Sequence, residues 1–206
     1  MVDTTGYDKM RRGDIYPNPD WHLIEMQAEA RKKLDRLNAV PNSDMFNRSV
    51  MLRDQLGSFG GGIVMSPVTW EYGKHIHIGE GVFINFECVF LDGADVRIGN
   101  GSVIAPRVQF LTAGHPTDPE ERALRDETGK IVGGYAINKP ITIGENVWIG
   151  ANVLIMGGVT LGDGSTIGAG SVVTRDVPAG VVAAGNPCRV IKTIAGQDNV
   201  KASRAA

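Results

Sequence analysis

Cysteine is scarce in this chain of 206 residues, in which only Cys88 and Cys188 occur. Two isolated cysteines exclude a disulfide framework and a zinc signature. An excess of charge of one sign is also lacking, because 21 Lys and Arg residues stand against 23 Asp and Glu residues. A near-neutral chain has no basic surface for nucleic acid or an anionic membrane, so neither partner is expected.

Long apolar runs are missing as well, since none approaches the roughly 20 residues that a membrane-spanning helix needs. The first residues lack the basic and apolar stretches of a signal peptide, so we expect the protein to be cytoplasmic. Glycine, in contrast, is abundant, with 27 residues in a chain of single-domain length. This content suits a chain that turns sharply at short, regular intervals.

The apolar residues follow a period of six. The pattern is Ile78, Ile84 and Phe90, then Ile98, Ile104 and Phe110, and later Ile143, Ile149, Ile155, Leu161, Ile167 and Val173. A fixed hexapeptide period predicts an all-β repeat fold, the parallel β-helix, in which stacked coils share one core. At three hexads per triangular coil, these twelve hexads give four coils. Cys88 falls at an inward position and is expected in the core.

The order of the hexads assigns them to sides of the prism, if a two-residue corner bulge separates Phe90 from Ile98. One predicted side carries Ile84, Ile104, Ile149 and Ile167, and the next carries Phe90, Phe110, Ile155 and Val173.

We divide the chain into three parts: a helical N-terminal region with a transition segment (1–62), the β-helix (63–193) and a polar tail (194–206). Helices are predicted over Tyr7 to Arg12 and from a cap at Asp20 to about Asn38. The hexapeptide period breaks over residues 116–139, which we expect to form an extended loop. A loop of this length in a compact domain is usually functional or disordered.

His115 immediately precedes this loop, at a corner where the coil geometry requires no histidine. An imidazole can accept a proton from a hydroxyl at neutral pH, so His115 is a candidate general base. A surface histidine that caps a carbonyl is the structural alternative. Asn85 projects outward after the inward Ile84, where its amide could hold a hydroxyl or steady an oxyanion. A corner asparagine with a left-handed backbone is the alternative there.

Small corner residues and cations mark the later coils. Ala151 and Ala169 share the side of the prism that carries Asn85, and three coils at about 4.8 Å each span roughly 14 Å. That length suits a ligand with a pantetheine arm, and cations nearby suit its phosphates. Tight-corner packing is the structural alternative. The cations are Arg175, Arg189 and Lys192.

His115 and Asn85 are assigned to different sides of the prism, so one subunit is not expected to bring them together. Prisms packed side by side would do so. The sequence therefore predicts an active site shared between subunits.

Six short motifs follow one another along the chain. They are Phe83-Ile84-Asn85-Phe86, Ile104-Ala105-Pro106, Gly114-His115-Pro116, Pro140-Ile141-Thr142-Ile143-Gly144, Val147-Trp148-Ile149-Gly150-Ala151 and Val182-Ala183-Ala184-Gly185-Asn186-Pro187-Cys188-Arg189-Val190-Ile191. Together they resemble the hexapeptide-repeat sugar O-acetyltransferases, which include the galactoside, maltose and nodulation acetyltransferases. The similarity covers about residues 7–193.

This resemblance implies a left-handed β-helix that forms a homotrimer, with acetyl-CoA as co-substrate in the cleft between prisms and no bound cofactor or metal. It implies that His115 is the general base for the acceptor hydroxyl and that Asn85 contacts the acceptor and the acetyl group. Trp148 is expected to line the same cleft. The positions that match the family's CoA contacts are Ala151, Ala169, Thr174, Arg175, Arg189 and Lys192.

The expected acceptor contacts depart from the family pattern. Glu71 stands where the galactoside enzyme has serine, Phe83 replaces a tyrosine, and only Asp92 represents an acidic pair. Asn18 or Asp20 could supply the N-terminal contact. We therefore predict an acetyl-CoA-dependent O-acetyltransferase for a sugar or a similar hydroxylated small molecule, with the acceptor left open.

Three other functions stay open. A metal hydrase of the γ-carbonic-anhydrase type would use His75, His77 and His115. His75 and His77 flank the inward Ile76 and are expected on the outer face, where two exposed strand histidines are the simpler explanation. The altered acceptor side also allows an acetyltransferase for an amine or an antibiotic, and a β-helix can serve as a non-catalytic scaffold.

Overall fold

The structure is a computed structural model and describes residues 5–194. Its N-terminal part contains α1 (Thr5–Arg12), β1 (Tyr16–Asn18), α2 (Trp21–Ala39) and α3 (Met45–Gln55). Both predicted helices are present. Asp20 caps α2 as expected, because its side chain accepts a hydrogen bond from the Leu23 amide at 3.2 Å.

The helix α3 lies in the predicted transition segment, where the sequence pattern indicates no helix. Asp44 caps it, accepting from the Asn47 amide at 3.2 Å. Its buried face includes Arg48, which donates to the carbonyls of Leu37 at 3.1 Å and Val64 at 2.7 Å. Because an arginine occupies an inward position, the apolar periodicity of this helix is weak.

The chain then winds five complete coils and part of a sixth over the described residues. The first three coils contain β2 (Ser58–Phe59), β3 (Gly62–Val64), β4 (Val68–Trp70), β5 (Ile76–Ile78), β6 (Val82–Ile84), β7 (Cys88–Leu91), β8 (Val96–Ile98), β9 (Val103–Ile104) and β10 (Gln109–Leu111). An excursion follows with β11 (Ala113–Gly114), α4 (Pro119–Arg122), β12 (Ala123–Arg125) and β13 (Ile131–Asn138). The later coils contain β14 (Ile141–Ile143), β15 (Trp148–Ile149), β16 (Leu154–Met156), β17 (Thr160–Leu161), β18 (Thr166–Ile167), β19 (Val172–Val173), β20 (Val181–Ala184) and β21 (Arg189–Thr193).

Three parallel sheets form the sides of the prism. The first sheet has the order β2-β5-β8-β14-β17, the second β3-β6-β9-β15-β18-β20, and the third β4-β7-β10-β16-β19. The predicted sides are confirmed, since Ile84, Ile104, Ile149 and Ile167 are in register in the second sheet. Phe90, Phe110, Ile155 and Val173 are in register in the third. The inward residues form one buried core, which confirms the all-β helix of hexapeptide repeats.

The segment 116–139, where no hexad fits, is folded. Strands β12 and β13 pair as an antiparallel hairpin, and β13 also pairs with β11 and with β1. The N-terminal segment and the excursion therefore form a small sheet of their own beside the coils.

The last strand, β21, reverses direction and pairs antiparallel with β20 along the second sheet. The polar tail predicted from residue 194 lies, beyond that residue, outside the described part of the chain. Within residues 5–194, no helix is long and apolar enough to cross a membrane.

The corner before β3 gives a test of the coil spacing. Gly61 and Gly62 both have positive φ, +116° and +126°, but a Cβ at Gly62 would lie 2.2 Å from the Val82 carbonyl oxygen. A Cβ at Gly61 would meet nothing within 4 Å. We expect Gly61→Ala to lower the free energy of unfolding by about 1–2 kcal/mol through backbone strain alone. Gly62→Ala should cost about 1–3 kcal/mol more, because the next coil must move.

Urea unfolding of the two variants at one protein concentration measures the difference. Equal losses would mean that the second coil does not approach Gly62 closely.

Candidate active site

A cavity of about 220 Å³ lies where β1, α2 and the hairpin meet the first coils. Its apolar lining includes Leu23, Ile24, Leu91 and Ala136. We call it the acidic cavity after two carboxylates among its polar lining residues, which are Tyr16, Asn18, Asp20, Gln27, Glu71, Tyr72 and His115.

His115 is fixed by the strand pairing that precedes it. Gly114 pairs with Ile137 across β11 and β13, and the Nδ1 atom of His115 lies 2.8 Å from the Tyr135 carbonyl oxygen. A carbonyl can only accept, so Nδ1 is the protonated nitrogen of the neutral ring. Nε2 then carries a free lone pair, which is the form required of a general base. The carbonyl contact expected as the structural alternative is therefore present, and it also leaves Nε2 able to accept a proton.

Glu71 places a carboxylate in the acidic cavity with no hydrogen-bond donor for it among the described residues. Burial and the nearby Asp92 raise the pKa of Glu71 to about 7, and Arg31 opposes this shift. A half-buried acid without a hydrogen-bond donor is costly to the fold, which makes Glu71 a candidate for binding.

Asp92, predicted to contact the acceptor, lies instead behind the cavity wall. It is fully buried, and its Oδ1 accepts from the amides of Glu71 and Tyr72, both at 2.9 Å. Burial raises its pKa to about 6, while the backbone donors oppose that shift. Asp92 therefore holds the turn that presents Glu71.

The N-terminal segment brings both candidates, Asn18 and Asp20, to the cavity. Asp20 also caps α2 through Oδ1, so its carboxylate is already oriented by Leu23. Asn18 is exposed in β1, where it pairs with Gly134 of the hairpin.

Two tyrosines of the cavity were not predicted. Tyr16 OH accepts from Asn138 Nδ2 at 2.7 Å, and Tyr72 OH accepts from Gln27 Nε2 at 3.1 Å. Burial raises the pKa of both phenols. No local pattern marks these residues, because they reach the cavity through the pairing of β1 with β13 and the packing of α2.

Three further predicted residues, Phe83, Asn85 and Trp148, lie on the second sheet or at its corner. Phe83, Val103 and Trp148 are neighbours on its outer face, and Trp148 is 57% exposed. Asn85 follows β6, and its Oδ1 accepts from the Phe86 amide at 2.9 Å. Neither Phe83 nor Asn85 lines the acidic cavity.

Ala151 and Ala169 lie at successive coils of the same corner, where the Gly170 amide donates to the Ala151 carbonyl at 2.8 Å. A Cβ at Gly150 would lie 2.6 Å from the Ala169 nitrogen, so coil stacking alone requires glycine there. The tight-corner explanation therefore accounts for Gly150.

The other predicted CoA-contacting residues lie near the C-terminal end of the β-helix. Thr174 and Arg175 follow β19 and are exposed, as are Arg189 and Lys192 on β21. The Cys188 amide donates to the Val172 carbonyl at 2.9 Å, which places the start of β21 beside β19. Within residues 5–194, neither Arg175 nor Lys192 forms an ion pair.

The three histidines of the hydrase alternative do not converge. His75 was expected on the exposed face, and this is wrong: it is 2% exposed because α1 covers it. Its Nδ1 lies 2.5 Å from the Asp92 carbonyl oxygen and its Nε2 3.1 Å from Tyr7 OH. Burial lowers its pKa to about 4. The described residues contain no group of three His, Cys, Asp or Glu side chains placed to hold a metal ion.

Because burial raises the pKa of Glu71, replacing this residue should stabilise the folded protein by an amount that depends on pH. The folded protein binds a proton at Glu71 up to about pH 7, whereas the unfolded chain releases it near the ordinary 4.5. Wild-type stability therefore falls as pH rises through this window. We expect Glu71→Gln to raise the free energy of unfolding by about 1–3 kcal/mol at pH 8, allowing for residual exposure, and by less at pH 5. Urea unfolding at both values measures this, and an equal effect at pH 5 and pH 8 would contradict it.

Comparisons with known proteins identify the family of the chain. The family described as bacterial transferase hexapeptide (six repeats) matches residues 140–175. Nodulation protein L of Rhizobium meliloti (strain 1021) is 40% identical over 187 residues, which cover 90% of this chain and 97% of that protein.

Two solved structures are similar over most of the chain. The maltose O-acetyltransferase from Clostridium difficile 630 has a TM-score of 0.84 and 40% identity, covering 92% of this chain and 97% of that one. A galactoside acetyltransferase in complex with coenzyme A has a TM-score of 0.83 and 37% identity, covering 93% and 92%. Because these similarities extend over nearly the whole sequence and the whole β-helix, the chain belongs to the hexapeptide-repeat acetyltransferase family.

Proposed function

We propose that this protein is an acetyl-CoA-dependent O-acetyltransferase that acts on a sugar or a similar hydroxylated small molecule, with His115 as general base. The observation that carries the proposal is the 2.8 Å contact between His115 Nδ1 and the Tyr135 carbonyl, which leaves Nε2 basic beside the acidic cavity. The solved galactoside acetyltransferase in complex with coenzyme A supports the choice of donor.

In the proposed reaction, Nε2 of His115 removes the proton from the acceptor hydroxyl as the oxygen attacks the thioester carbonyl. The tetrahedral intermediate collapses with loss of the CoA thiolate, which takes the proton back from the imidazolium. The products are an acetyl ester and CoA, and His115 returns to its neutral form. Cys88 is not a nucleophile in this scheme, because burial raises its pKa to about 11.

The acceptor occupies the acidic cavity, where Asp20 and Glu71 contact its polar groups. Asn85 steadies the oxyanion of the tetrahedral intermediate, and Phe83 lies beside it on the second sheet. The donor follows the corner of the second sheet, with cations for its phosphates. Its contacts are Trp148, Ala151, Ala169, Thr174, Arg175, Arg189 and Lys192.

The two halves of this site face different sides of the prism. The acidic cavity with His115 lies beside β11 and β13, whereas Asn85 and Trp148 lie on the second sheet. We infer that the protein is a homotrimer in which each site combines the acidic cavity of one subunit with the second sheet of its neighbour. The exposed Val103 and Trp148 on that sheet fit a surface that another subunit covers.

The general base is tested with His115→Ala. We expect kcat to fall by about 10²–10⁴, the usual contribution of a general base, while CoA binding is unchanged. CoA release is followed with a thiol reagent over a panel of sugars, amino sugars and hydroxylated antibiotics, and CoA binding by calorimetry. His22→Ala is the matched control, because His22 is exposed on α2 and does not line the acidic cavity. Turnover that survives in His115→Ala would remove His115 from the mechanism.

The shared site is tested by mixing two inactive variants, His115→Ala and Asn85→Ala. In a ring of three subunits formed from an equimolar mixture, about a quarter of the His115–Asn85 pairs are intact, so about a quarter of wild-type activity should return. Activity is measured after joint refolding, and each variant refolded alone is the control. A mixture as inactive as its components would place the whole site in one subunit.

A further inference from the structure

We propose that the acceptor carries a protonated amine, which pairs with Glu71 while a neighbouring hydroxyl receives the acetyl group. This inference deepens the proposed function and rests on it. It predicts that the acceptors are amino sugars, or small molecules that carry the same amine and hydroxyl groups, in preference to neutral sugars.

The charges around the acidic cavity have one sign. Asp20 and Glu71 line it, Asp92 lies behind Glu71, and no Lys or Arg is among its described lining residues. The cation that opposes the rise in the Glu71 pKa is Arg31, on α2 but outside the lining. The other titratable groups that face the cavity are Tyr16, Tyr72 and His115. A neutral acceptor would bring no positive charge to these carboxylates.

Glu71 is the group best placed to bind a cation. Its carboxylate receives no hydrogen bond from a described residue, although its own amide is held at 2.9 Å by Asp92 Oδ1. Asp20, by contrast, already uses Oδ1 to cap α2. Glu71 is half-buried and no described Lys or Arg forms an ion pair with it, so a bound ammonium would give this carboxylate its first close cation and favour its charged form.

Pairing with Glu71 also decides which atom reacts. An adjacent carboxylate stabilises the protonated amine, and a protonated amine has no lone pair with which to attack the thioester. The hydroxyl that reaches Nε2 of His115 therefore loses its proton, forms the C–O bond and releases the CoA thiolate, which is protonated by His115. The product expected is an ester on a sugar that keeps its free amine.

The test compares glucosamine, N-acetylglucosamine and glucose as acceptors at pH 7, with wild type, Glu71→Gln and Glu80→Gln. Wild type should prefer glucosamine over both neutral sugars by about 10- to 100-fold in kcat/KM, the usual range for a charge-assisted contact. Glu71→Gln should lose this preference. Glu80→Gln should keep it, because Glu80 is exposed at a corner outside the cavity. Circular dichroism checks that each variant is folded.

A second readout separates this inference from the proposed function. Binding of glucosamine and glucose without acetyl-CoA is measured by calorimetry for wild type and Glu71→Gln. Equal use of neutral and amino sugars, or a preference that survives in Glu71→Gln, would overturn the inference and leave the O-acetyltransferase standing. An amide product resistant to hydroxylamine would overturn both, because the acetyl group would then be on nitrogen. Glu71-dependent binding of glucosamine without any acetyl transfer would support cation recognition and overturn the proposed function.

Discussion

The structure depends on one constraint, the pairing of each coil with the coils above and below it. Backbone amides and carbonyls are satisfied only by the neighbouring coils, so inward residues must recur at the same place on every turn. At Gly62, Gly150 and Gly168 the next coil comes so close that a Cβ would lie under 3 Å from its atoms. The six-residue period, the glycine corners and the buried stack of Phe90 on Phe110, 4.6 Å between ring centroids, all follow from this spacing.

The same constraint confines variation to the corners and the outer surface. The large excursion leaves after β10 and returns at β14 without disturbing the register, since β10 still pairs with β16 and β8 with β14. The excursion is held by β1 and β11, and this pairing places His115, Asn18 and Tyr16 around one cavity. A rigid prism therefore supports a cavity, the proposed acceptor site, that is lined largely by irregular segments.

The sequence predicted most of the prism, because a strict period determines which residues face inward. It also predicted that His115 belongs to a functional site, since a histidine at the edge of the excursion has no role in coil stacking, and the structure places this residue in the acidic cavity. It missed α3, whose inward Arg48 hides the apolar stripe, and Tyr16, Gln27 and Tyr72, which meet only through tertiary pairing. The positions of His75 and Asp92 differ from the predicted ones for a related reason: α1 covers His75, and Asp92 turns inward to bind the amides of Glu71 and Tyr72.

The central claim is that His115 of one subunit and Asn85 of its neighbour act on the same thioester. The most direct measurement is a crystal structure of the protein with CoA bound. The account predicts a trimer in which the CoA sulfur lies within about 4–5 Å of Nε2 of His115. This separation leaves room for the acceptor oxygen to hydrogen-bond to Nε2 while it attacks the thioester carbonyl. The Asn85 amide beside that sulfur should belong to the adjacent subunit. A CoA bound away from every His115, or an Asn85 from the same subunit at the sulfur, would contradict the account.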